Sequence, residues 1–233
     1  MKNYINKYFN KKSGYTIPEI LIVFIVIGII FAMTMPMIIN NYGEHERVSK
    51  VNKMYSIFTN ALETAVARGD DYTYYNVENS AEGMKDFYDK FLKKNLNVMQ
   101  ECYSGEKNCW SEGDTKQMNK AKIDFGSNVM GFTLADGTLI KLVNLENSKF
   151  SSIFGVTKEE TGGLAIVFDI NGYKIPNTVG KDIFAMIFTV DDGIFPPFKE
   201  ADESAIKSDC SKDGIGFGCT HLYIKNETAE DED

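Results

Sequence analysis

The stretch that decides the fold reads SGYTIPE at residues 13–19 and continues as ILIVFIVIGIIFAMTMPMII at residues 20–39. The apolar run contains no charged residue. At about 1.5 Å rise per residue, a helix of this length crosses a bilayer core about 30 Å thick. Glu19 stands at the front edge of the run, where a carboxylate close to hydrocarbon costs free energy and usually has a partner. We therefore predict a transmembrane helix over residues 15–42 whose first turn carries a carboxylate in need of a positive charge.

The segment before this helix is basic. Its only charged residues are the four lysines Lys2, Lys7, Lys11 and Lys12. Because positive charges are retained on the cytoplasmic side of a membrane, we expect the N-terminus in the cytoplasm and the C-terminal part on the opposite side. A cut after Gly14 creates an α-amine on Tyr15, and this amine can pair with Glu19 of a neighbouring copy.

The residues GYTIPE, followed by an apolar helix, resemble the cleavage and methylation signal of type IV pilins and type II secretion pseudopilins. The resemblance implies that a prepilin peptidase cuts after Gly14 and methylates the new N-terminus, Tyr15. It implies that Glu19 guides assembly, and that Gly28 and Pro36, which fall where the family has its helix glycine and proline, make the helix flexible in the filament. The chain departs from the family pattern in having Tyr15 where Phe is usual and a proline directly before Glu19. A proline in the first helical turn costs little, so the assignment stands.

By the same resemblance, the chain is a structural subunit of a type IV pilus-like or type II secretion pseudopilus filament. Its expected partners are prepilin peptidase, other pilin or pseudopilin subunits, an inner-membrane assembly platform and the membrane, which it crosses once. The expected location is the bacterial inner membrane, with the N-terminus in the cytoplasm and the C-terminal domain in the periplasm or outside the cell, and then the pilus or pseudopilus. Pseudopilins and minor, major and competence pilins share this signal, and the sequence does not choose among them.

The alternative function is a membrane-anchored periplasmic binding domain that does not polymerise. Such a protein keeps the helix but has no need of Gly14 or Glu19. An ordinary secretory signal fits less well, because its apolar core of about 7–15 residues is shorter than this run.

The charge balance argues against nucleic-acid binding. The first fourteen residues hold four of the 25 Lys and Arg residues and none of the 33 Asp and Glu residues, so residues 15–233 carry a net charge of −12. Nucleic-acid binding needs a basic face. No enzymatic activity and no cofactor are predicted either, because His45 and His221 stand alone in sequence and a lone histidine is usually structural or solvated.

The four cysteines come in two close pairs, Cys102 with Cys109 and Cys210 with Cys219. Four cysteines allow three pairings, which sequence alone does not separate. Each close pair encloses a short loop of mostly small and polar residues, so we favour the two local disulfides, which require an oxidising compartment. A zinc site is the competing interpretation, but these spacings are wider than those of common zinc ligand pairs.

Three aspartates are candidate calcium ligands: Asp182, Asp191 and Asp192. Carboxylate oxygens suit calcium, but these residues form no recognisable motif. Asp169-x-Asn171-Gly172 matches the opening of a calcium loop yet lacks the glutamate that closes one, and a turn explains it. The sequence therefore predicts no metal, with calcium at the three aspartates as an alternative.

Hydropathy patterns place helices first and strands later. Apolar residues at spacings of three and four continue the first helix beyond the membrane as far as Gly69. A second helix, capped by Ser80, is predicted over residues 80–98. Strands are predicted at residues 129–134, 138–143, 164–170, 173–175, 184–190 and 217–224, with hairpin turns at Ala135-Asp136-Gly137 and Asn171-Gly172.

This order is typical of the α+β class. The resemblance implies the pilin-like fold, in which a long N-terminal helix packs against an antiparallel sheet that carries a C-terminal disulfide loop. The expected segments are a leader at residues 1–14, a transmembrane and assembly helix at 15–42, a globular domain outside the cytoplasm at 43–227 and an acidic disordered tail at 228–233.

Overall fold

The computed structural model describes residues 14–73, 75–103, 109–111, 113–126, 129–156 and 163–225, with the backbone alone for residues 36–42. The chain divides into two units, Met1–Glu44 and His45–Asp233. The predicted leader, apart from Gly14, and the predicted tail lie outside the described residues.

The fold is α+β, with one long helix ahead of a mainly antiparallel-sheet domain. In chain order the elements are α1 (Ile17–Ala67), α2 (Ala81–Phe87), β1 (Val98–Cys102), β2 (Val129–Leu134), β3 (Leu139–Val143), α3 (Asn147–Phe154), β4 (Gly163–Asp169), β5 (Ile183–Thr189), β6 (Gly193–Phe195), α4 (Glu203–Asp209) and α5 (Gly218–Ile224). The strands form one six-stranded sheet in the order β1-β2-β3-β4-β5-β6, with every neighbouring pair antiparallel.

Helix α1 ends as the sequence predicts. Gly69 adopts a positive φ of 95°, and the Asp70 N–H donates to the Ala65 carbonyl oxygen at 3.0 Å. A left-handed residue just after a helix is the common way to satisfy its last carbonyl groups, and glycine adopts that conformation without strain.

The second half of α1 packs on one face of the sheet. The predicted apolar stripe is confirmed, since Val51, Phe58 and Ala65 are fully buried. The Phe58 ring lies 6.3 Å from that of Phe168 on β4, and both belong to a core that also includes α2. Successive side chains of a strand point to opposite faces, so Val167 belongs to a separate core on the other face.

The core on that other face contains five phenylalanines among its aliphatic residues. Phe150 and Phe154 of α3 lie with ring centroids 5.0 Å apart, and Phe154 is 4.9 Å from Phe217, which immediately precedes α5. The sheet is therefore covered on both faces, which explains why β4 and β5 are apolar runs rather than alternating sequences.

The second predicted helix begins in the expected place but ends earlier. Ser80 caps it, because its Oγ accepts from the Gly83 N–H at 3.0 Å. After α2 the chain continues as a π-helical turn at Tyr88–Leu92 and a 3₁₀ turn at Lys93–Asn95. Strand β1 then starts at Val98, so the prediction of helix through residue 98 was wrong at its end.

Two strand predictions were wrong. The segment predicted as a final strand at residues 217–224 is helix α5. The segment at residues 173–175 is a loop, and β4 pairs instead with β5. The hairpin predicted around residues 135–137 is confirmed as the connection between β2 and β3.

Both local disulfides are present. Cys102 of β1 is bonded to Cys109, and Cys210 at the end of α4 is bonded to Cys219 of α5. The described part of the chain contains no free cysteine. The second bond holds the two short C-terminal helices together.

Candidate functional site

The N-terminal end of α1 has one of the two hydrogen bonds of a capping box, the one from the Thr16 N–H to Glu19. The Ile20 N–H donates to the Thr16 carbonyl oxygen at 3.2 Å, which makes Thr16 the residue that caps the first turn. The Thr16 N–H in turn donates to Oε2 of Glu19 at 3.4 Å. A threonine whose backbone N–H is accepted by a glutamate three residues later satisfies a donor that helix ends otherwise leave free.

The residues on either side of the predicted cleavage point are accessible. Tyr15 is 79% exposed and precedes the first helical residue, Ile17. A Cβ added at Gly14 would meet no other atom within 4 Å. Pro18 lies in the first turn, where its missing N–H has no partner to lose. The segment from Gly14 to Pro18 is therefore open to a protease.

The helix beyond Glu19 is long and apolar enough to cross a membrane. The candidate span is Ile17–Met35, with a mean hydropathy of 2.6 and none of its residues buried. Its large apolar side chains are exposed on all sides, from 42% for Ile27 to 78% for Ile17. By length and composition, a helix with these properties near an N-terminus could be a membrane anchor or a signal sequence.

The polar groups inside this span are few. The Thr34 hydroxyl donates to the Ile30 carbonyl oxygen at 3.0 Å and is satisfied within its own helix. Glu19 is the only charged residue between Ile17 and Met35. None of the ion pairs among the described residues includes Glu19.

The two predicted flexibility residues both lie inside α1. Gly28 is exposed, and a Cβ added there would meet no atom within 4 Å. Pro36 lies within the same uninterrupted helix. Proline removes the hydrogen bond to the carbonyl group four residues earlier. Nothing packs against Gly28 to demand a glycine.

The structure does not bring the three predicted calcium ligands together. Asp182 directly precedes β5, whereas Asp191 and Asp192 follow its end at Thr189. A seven-residue strand spans roughly 20 Å. No described group of three or more His, Cys, Asp or Glu side chains is placed to hold a metal ion.

The hydrogen bond between Thr16 and Glu19 was not predicted from the sequence. Its signal was present, because Thr16-Ile17-Pro18-Glu19 has the Thr-x-x-Glu spacing and stands directly before an apolar run. The omission matters because the box assigns Glu19 a role inside its own chain.

Comparisons with protein-family models, with curated proteins and with solved structures find no match.

Proposed function

We propose that this chain is the structural subunit of a type IV pilus-like or type II secretion pseudopilus filament, matured by a cut between Gly14 and Tyr15. The observation that carries the proposal is the combination of an accessible Gly14-Tyr15 bond, a single carboxylate at Glu19 and an apolar helix with no buried residue. An all-apolar exposed helix needs a bilayer or other helices around it.

Cleavage creates a positive charge with which Glu19 can pair. In the uncut chain the Tyr15 nitrogen is an uncharged amide. After hydrolysis it is an α-amine with an ordinary pKa of about 7.7–8.0, positive at neutral pH. The amine of one subunit then pairs with Glu19 of the next, which sets the axial register between neighbouring helices.

Assembly exchanges one apolar environment for another. Lipid tails are as apolar as packed side chains, so moving the Ile17–Met35 helix from the bilayer into a bundle is nearly neutral in hydrophobic free energy. Small free-energy differences therefore decide whether the helix enters the bundle. The attraction between two opposite charges is one of them, because it is stronger in a low-dielectric core than in water. The proposed partners are a prepilin peptidase, other pilin-like subunits and an inner-membrane assembly platform.

The proposal extends to fold and location. Helix α1 followed by an antiparallel sheet with a disulfide near its C-terminus is similar in order to the pilin-like fold. The lysines before Gly14 favour a cytoplasmic N-terminus in the bacterial inner membrane. The disulfides favour an oxidising compartment for the His45–Asp233 unit.

Mass spectrometry of the protein isolated from its native cell tests the cleavage. The expected N-terminal peptide begins at Tyr15 and carries one extra methyl group. An intact N-terminus, or a cut near Ala32, would remove the maturation step and the filament function with it.

Two substitutions at Glu19 separate its charge from its capping role. Glu19→Gln keeps an oxygen that accepts from the Thr16 N–H but removes the charge, whereas Glu19→Val removes both. If the charge pairs with a neighbouring subunit, both variants are inserted and cut normally, and both fail to enter filaments. Normal incorporation of Glu19→Gln contradicts the charge pairing.

The alternative is an anchored domain that never polymerises, and the capping box favours it. Because Glu19 already accepts a hydrogen bond from Thr16 within one chain, its presence has an explanation without a second copy. This function requires an uncut chain of full precursor mass and no filament-associated protein. The mass measurement at Tyr15 therefore distinguishes the two functions.

A further inference from the structure

The connection between β4 and β5 presents four exposed residues in a row: Tyr173, Lys174, Ile175 and Pro176. Ile175 is 80% exposed and Tyr173 is 53% exposed, although both are large apolar side chains. We call these four residues the 173–176 tip. Single exposed apolar side chains are normal on a folded domain, so it is the position of the tip that distinguishes it.

Hydrogen bonds hold the connection on both sides of the tip. The Asn171 N–H donates to Oδ1 of Asp169 at 3.0 Å, and the Asn171 side-chain Nδ2 donates to Oδ2 of Asp182 at 3.0 Å. After the tip, Nδ2 of Asn177 donates to the Ser111 hydroxyl at 2.8 Å. The exposed tip therefore stands on a base that is held in place.

The contacts of α1 show on which side of the domain the connection lies. Lys53 of α1 pairs with Asp136 in the β2–β3 turn, with Nζ 2.6 Å from Oδ2. Three residues earlier, Nζ of Lys50 donates to the Ile170 carbonyl oxygen at 3.3 Å. The unit begins at His45. The β4–β5 connection therefore lies beside the part of α1 through which the chain enters this unit.

The tip itself extends toward the start of the unit. The pKa of Glu46 is lowered first by its hydrogen bond with Lys50 and by the Lys50 charge, and further by the charge of Lys174. The tip lysine therefore acts on the second residue of the unit. The candidate membrane span ends at Met35, and the ten residues from there to His45 cover about 15 Å as helix.

The residue types of the tip match a lipid surface. Tyrosine is enriched where membrane meets water, because its ring is apolar and its hydroxyl is polar. Lysine can lay its apolar stem along lipid while its ammonium group stays among the headgroups. We propose that the 173–176 tip rests on the surface of the membrane that α1 crosses, with Tyr173 and Ile175 between the headgroups and Lys174 at the lipid phosphates.

A lipid surface fits the tip better than a protein partner does. A stable protein interface buries about 800 Å² and about 20–30 residues on each side, whereas the tip offers four residues. A contact with lipid needs no such area, because α1 already keeps the unit at the membrane and so makes the effective concentration of lipid high. The inference rests on the membrane-crossing helix of the proposed function, but not on cleavage or polymerisation.

Tryptophan fluorescence of the full-length protein in lipid vesicles tests this contact. Trp110 is the only tryptophan of the sequence, so Trp110→Phe gives a background without tryptophan emission. In that background Tyr173→Trp is the probe and Val66→Trp is the control. Val66 is 42% exposed and lies twenty residues beyond Glu46, about 30 Å further along α1. The vesicles contain equal amounts of phosphatidylglycerol and phosphatidylethanolamine, with and without bromine on the upper part of the acyl chains.

Brominated lipid is expected to quench the Tyr173→Trp variant and to leave the emission of the Val66→Trp variant unchanged. If both variants are quenched equally, or if neither is quenched although the protein floats with the vesicles, the proposal is overturned. An emission shift that grows with protein density in the membrane and is insensitive to bromine would indicate a second copy as the partner, which also overturns it. Protein that does not float with the vesicles overturns the membrane-crossing helix together with this inference.

A further substitution tests the apolar character of the contact. Ile175→Asp, added to the Tyr173→Trp probe, is expected to remove the quenching, because a carboxylate near hydrocarbon is costly. Val66→Asp in the same probe is the matched control and is expected to keep the quenching. Far-UV circular dichroism checks that each variant is folded, and Ile175→Trp replaces the probe in the first test if Tyr173→Trp is not. Quenching that survives Ile175→Asp, or that the control removes, overturns the proposal.

Discussion

Helix α1 places similar apolar residues in two opposite settings. Over Ile17–Met35 none of the residues is buried, and apolar side chains point in every direction. Over the part that belongs to the second unit, Val51, Phe58 and Ala65 form a single buried stripe. A helix that is apolar all round needs apolar surroundings on every side, whereas a helix with one apolar stripe needs only a sheet.

The rest of the chain sharpens this contrast. In the described part of the His45–Asp233 unit, the exposed large apolar side chains are Val66, Met99, Tyr173 and Ile175. Scattered exposure of this kind is normal for a folded domain. The continuous exposed surface lies in the N-terminal segment, and continuous surfaces mark sites of interaction with membranes or proteins.

The largest expected effect comes from truncating one phenylalanine in each half of α1. Phe58 is 0% exposed and Phe24 is 65% exposed. Phe58→Ala removes a ring from the core and leaves a cavity, so we expect the domain to lose about 3–5 kcal/mol of its free energy of unfolding. Phe24→Ala is expected to change it by less than about 0.5 kcal/mol. Urea unfolding of the full-length protein in detergent, followed by Trp110 fluorescence, measures both.

Equal effects of the two variants would contradict the division of α1 into a membrane segment and a core segment. A large effect of Phe24→Ala would mean that the N-terminal segment is part of the folded core.

The next effect concerns one of the two disulfides of the domain, for which the N-terminal half of α1 has no counterpart. The Cys210–Cys219 disulfide closes a short loop, with a sequence separation of 9. In the chain-entropy account, a loop of this length contributes about 2–3 kcal/mol. The double variant Cys210→Ala/Cys219→Ala is expected to lower the free energy of unfolding by that amount. Cleavage and membrane insertion are expected to stay normal, and a pulse-chase assay of precursor processing serves as the control.

A third prediction concerns Lys141, a charged residue of the domain that, like Glu19 in the apolar helix, lies among apolar side chains. Lys141 on β3 is partly buried, and its Nζ lies 4.4 Å from the centre of the Trp110 ring. Burial lowers the pKa of Lys141 to about 8, although the carboxylate of Asp124 acts in the opposite direction. The unfolded chain therefore holds this proton more tightly, and between about pH 8 and pH 10.5 the stability due to Lys141 rises with pH.

Lys141→Met removes this penalty. Below pH 8 the variant is expected to be more stable than wild type by about 1–2 kcal/mol, since lost cation–π attraction offsets part of the gain. The difference should shrink as pH rises from about 8 and level off only above pH 10.5, as the lysine becomes neutral in the unfolded chain as well. Urea unfolding monitored by far-UV circular dichroism at several pH values measures it. A difference independent of pH would show that packing, not charge, is responsible.

The parts of the fold that sequence predicts are those decided by local chemistry. The stop of α1 depends on one glycine, Gly69, and the cap of α2 depends on Ser80. The turn between β2 and β3 contains Gly137 at a positive φ of 86°. Each of these signals acts within a few residues, so it can be detected in a single sequence.

The incorrect predictions involve aspartate side chains that accept backbone N–H groups, which hydropathy patterns do not reveal. Residues 217–224 are apolar and aromatic enough for a strand, but Oδ2 of Asp209 on α4 accepts from the Gly218 N–H at 2.7 Å and caps the start of α5. In the β4–β5 connection, Asp169 and Asp182 accept backbone N–H groups that a hairpin would have used. At Asp209, Asp169 and Asp182, side-chain oxygens accept backbone N–H groups that the predicted strand pairing would have used.

The candidate site divides in the same way. Gly14, Tyr15 and Glu19 were identified from a contiguous motif, because a protease and a helix end both read adjacent residues. Among the aspartates, the fold places Asp182 and Asp191 at opposite ends of β5, and only the folded chain reveals the unpartnered Oδ2 of Asp169. Burial and missing donors depend on strand pairing, so composition could not separate Asp182 from Asp191.

The smallest expected effect tests whether ion pairs contribute to holding the second half of α1 on the domain. Lys53 of α1 pairs with Asp136 of the β2–β3 turn, with Nζ 2.6 Å from Oδ2. Both side chains are well exposed, 53% and 36%, and exposed pairs contribute about 0–1 kcal/mol. Lys53→Met is therefore expected to cost about 0.5 kcal/mol, several times less than Phe58→Ala, and less still in about 1 M salt.

The partner variant must be chosen so that the turn survives. Oδ1 of Asp136 also accepts from the Thr138 N–H at 3.0 Å, so Asp136→Ala would disrupt the turn as well as the ion pair. Asp136→Asn keeps that acceptor, and the double-mutant cycle of Lys53→Met with Asp136→Asn isolates the pair. A coupling energy approaching the effect of Phe58→Ala would mean that charge as well as apolar packing holds this half of the helix, and the contrast between the two halves of α1 would then rest on more than burial.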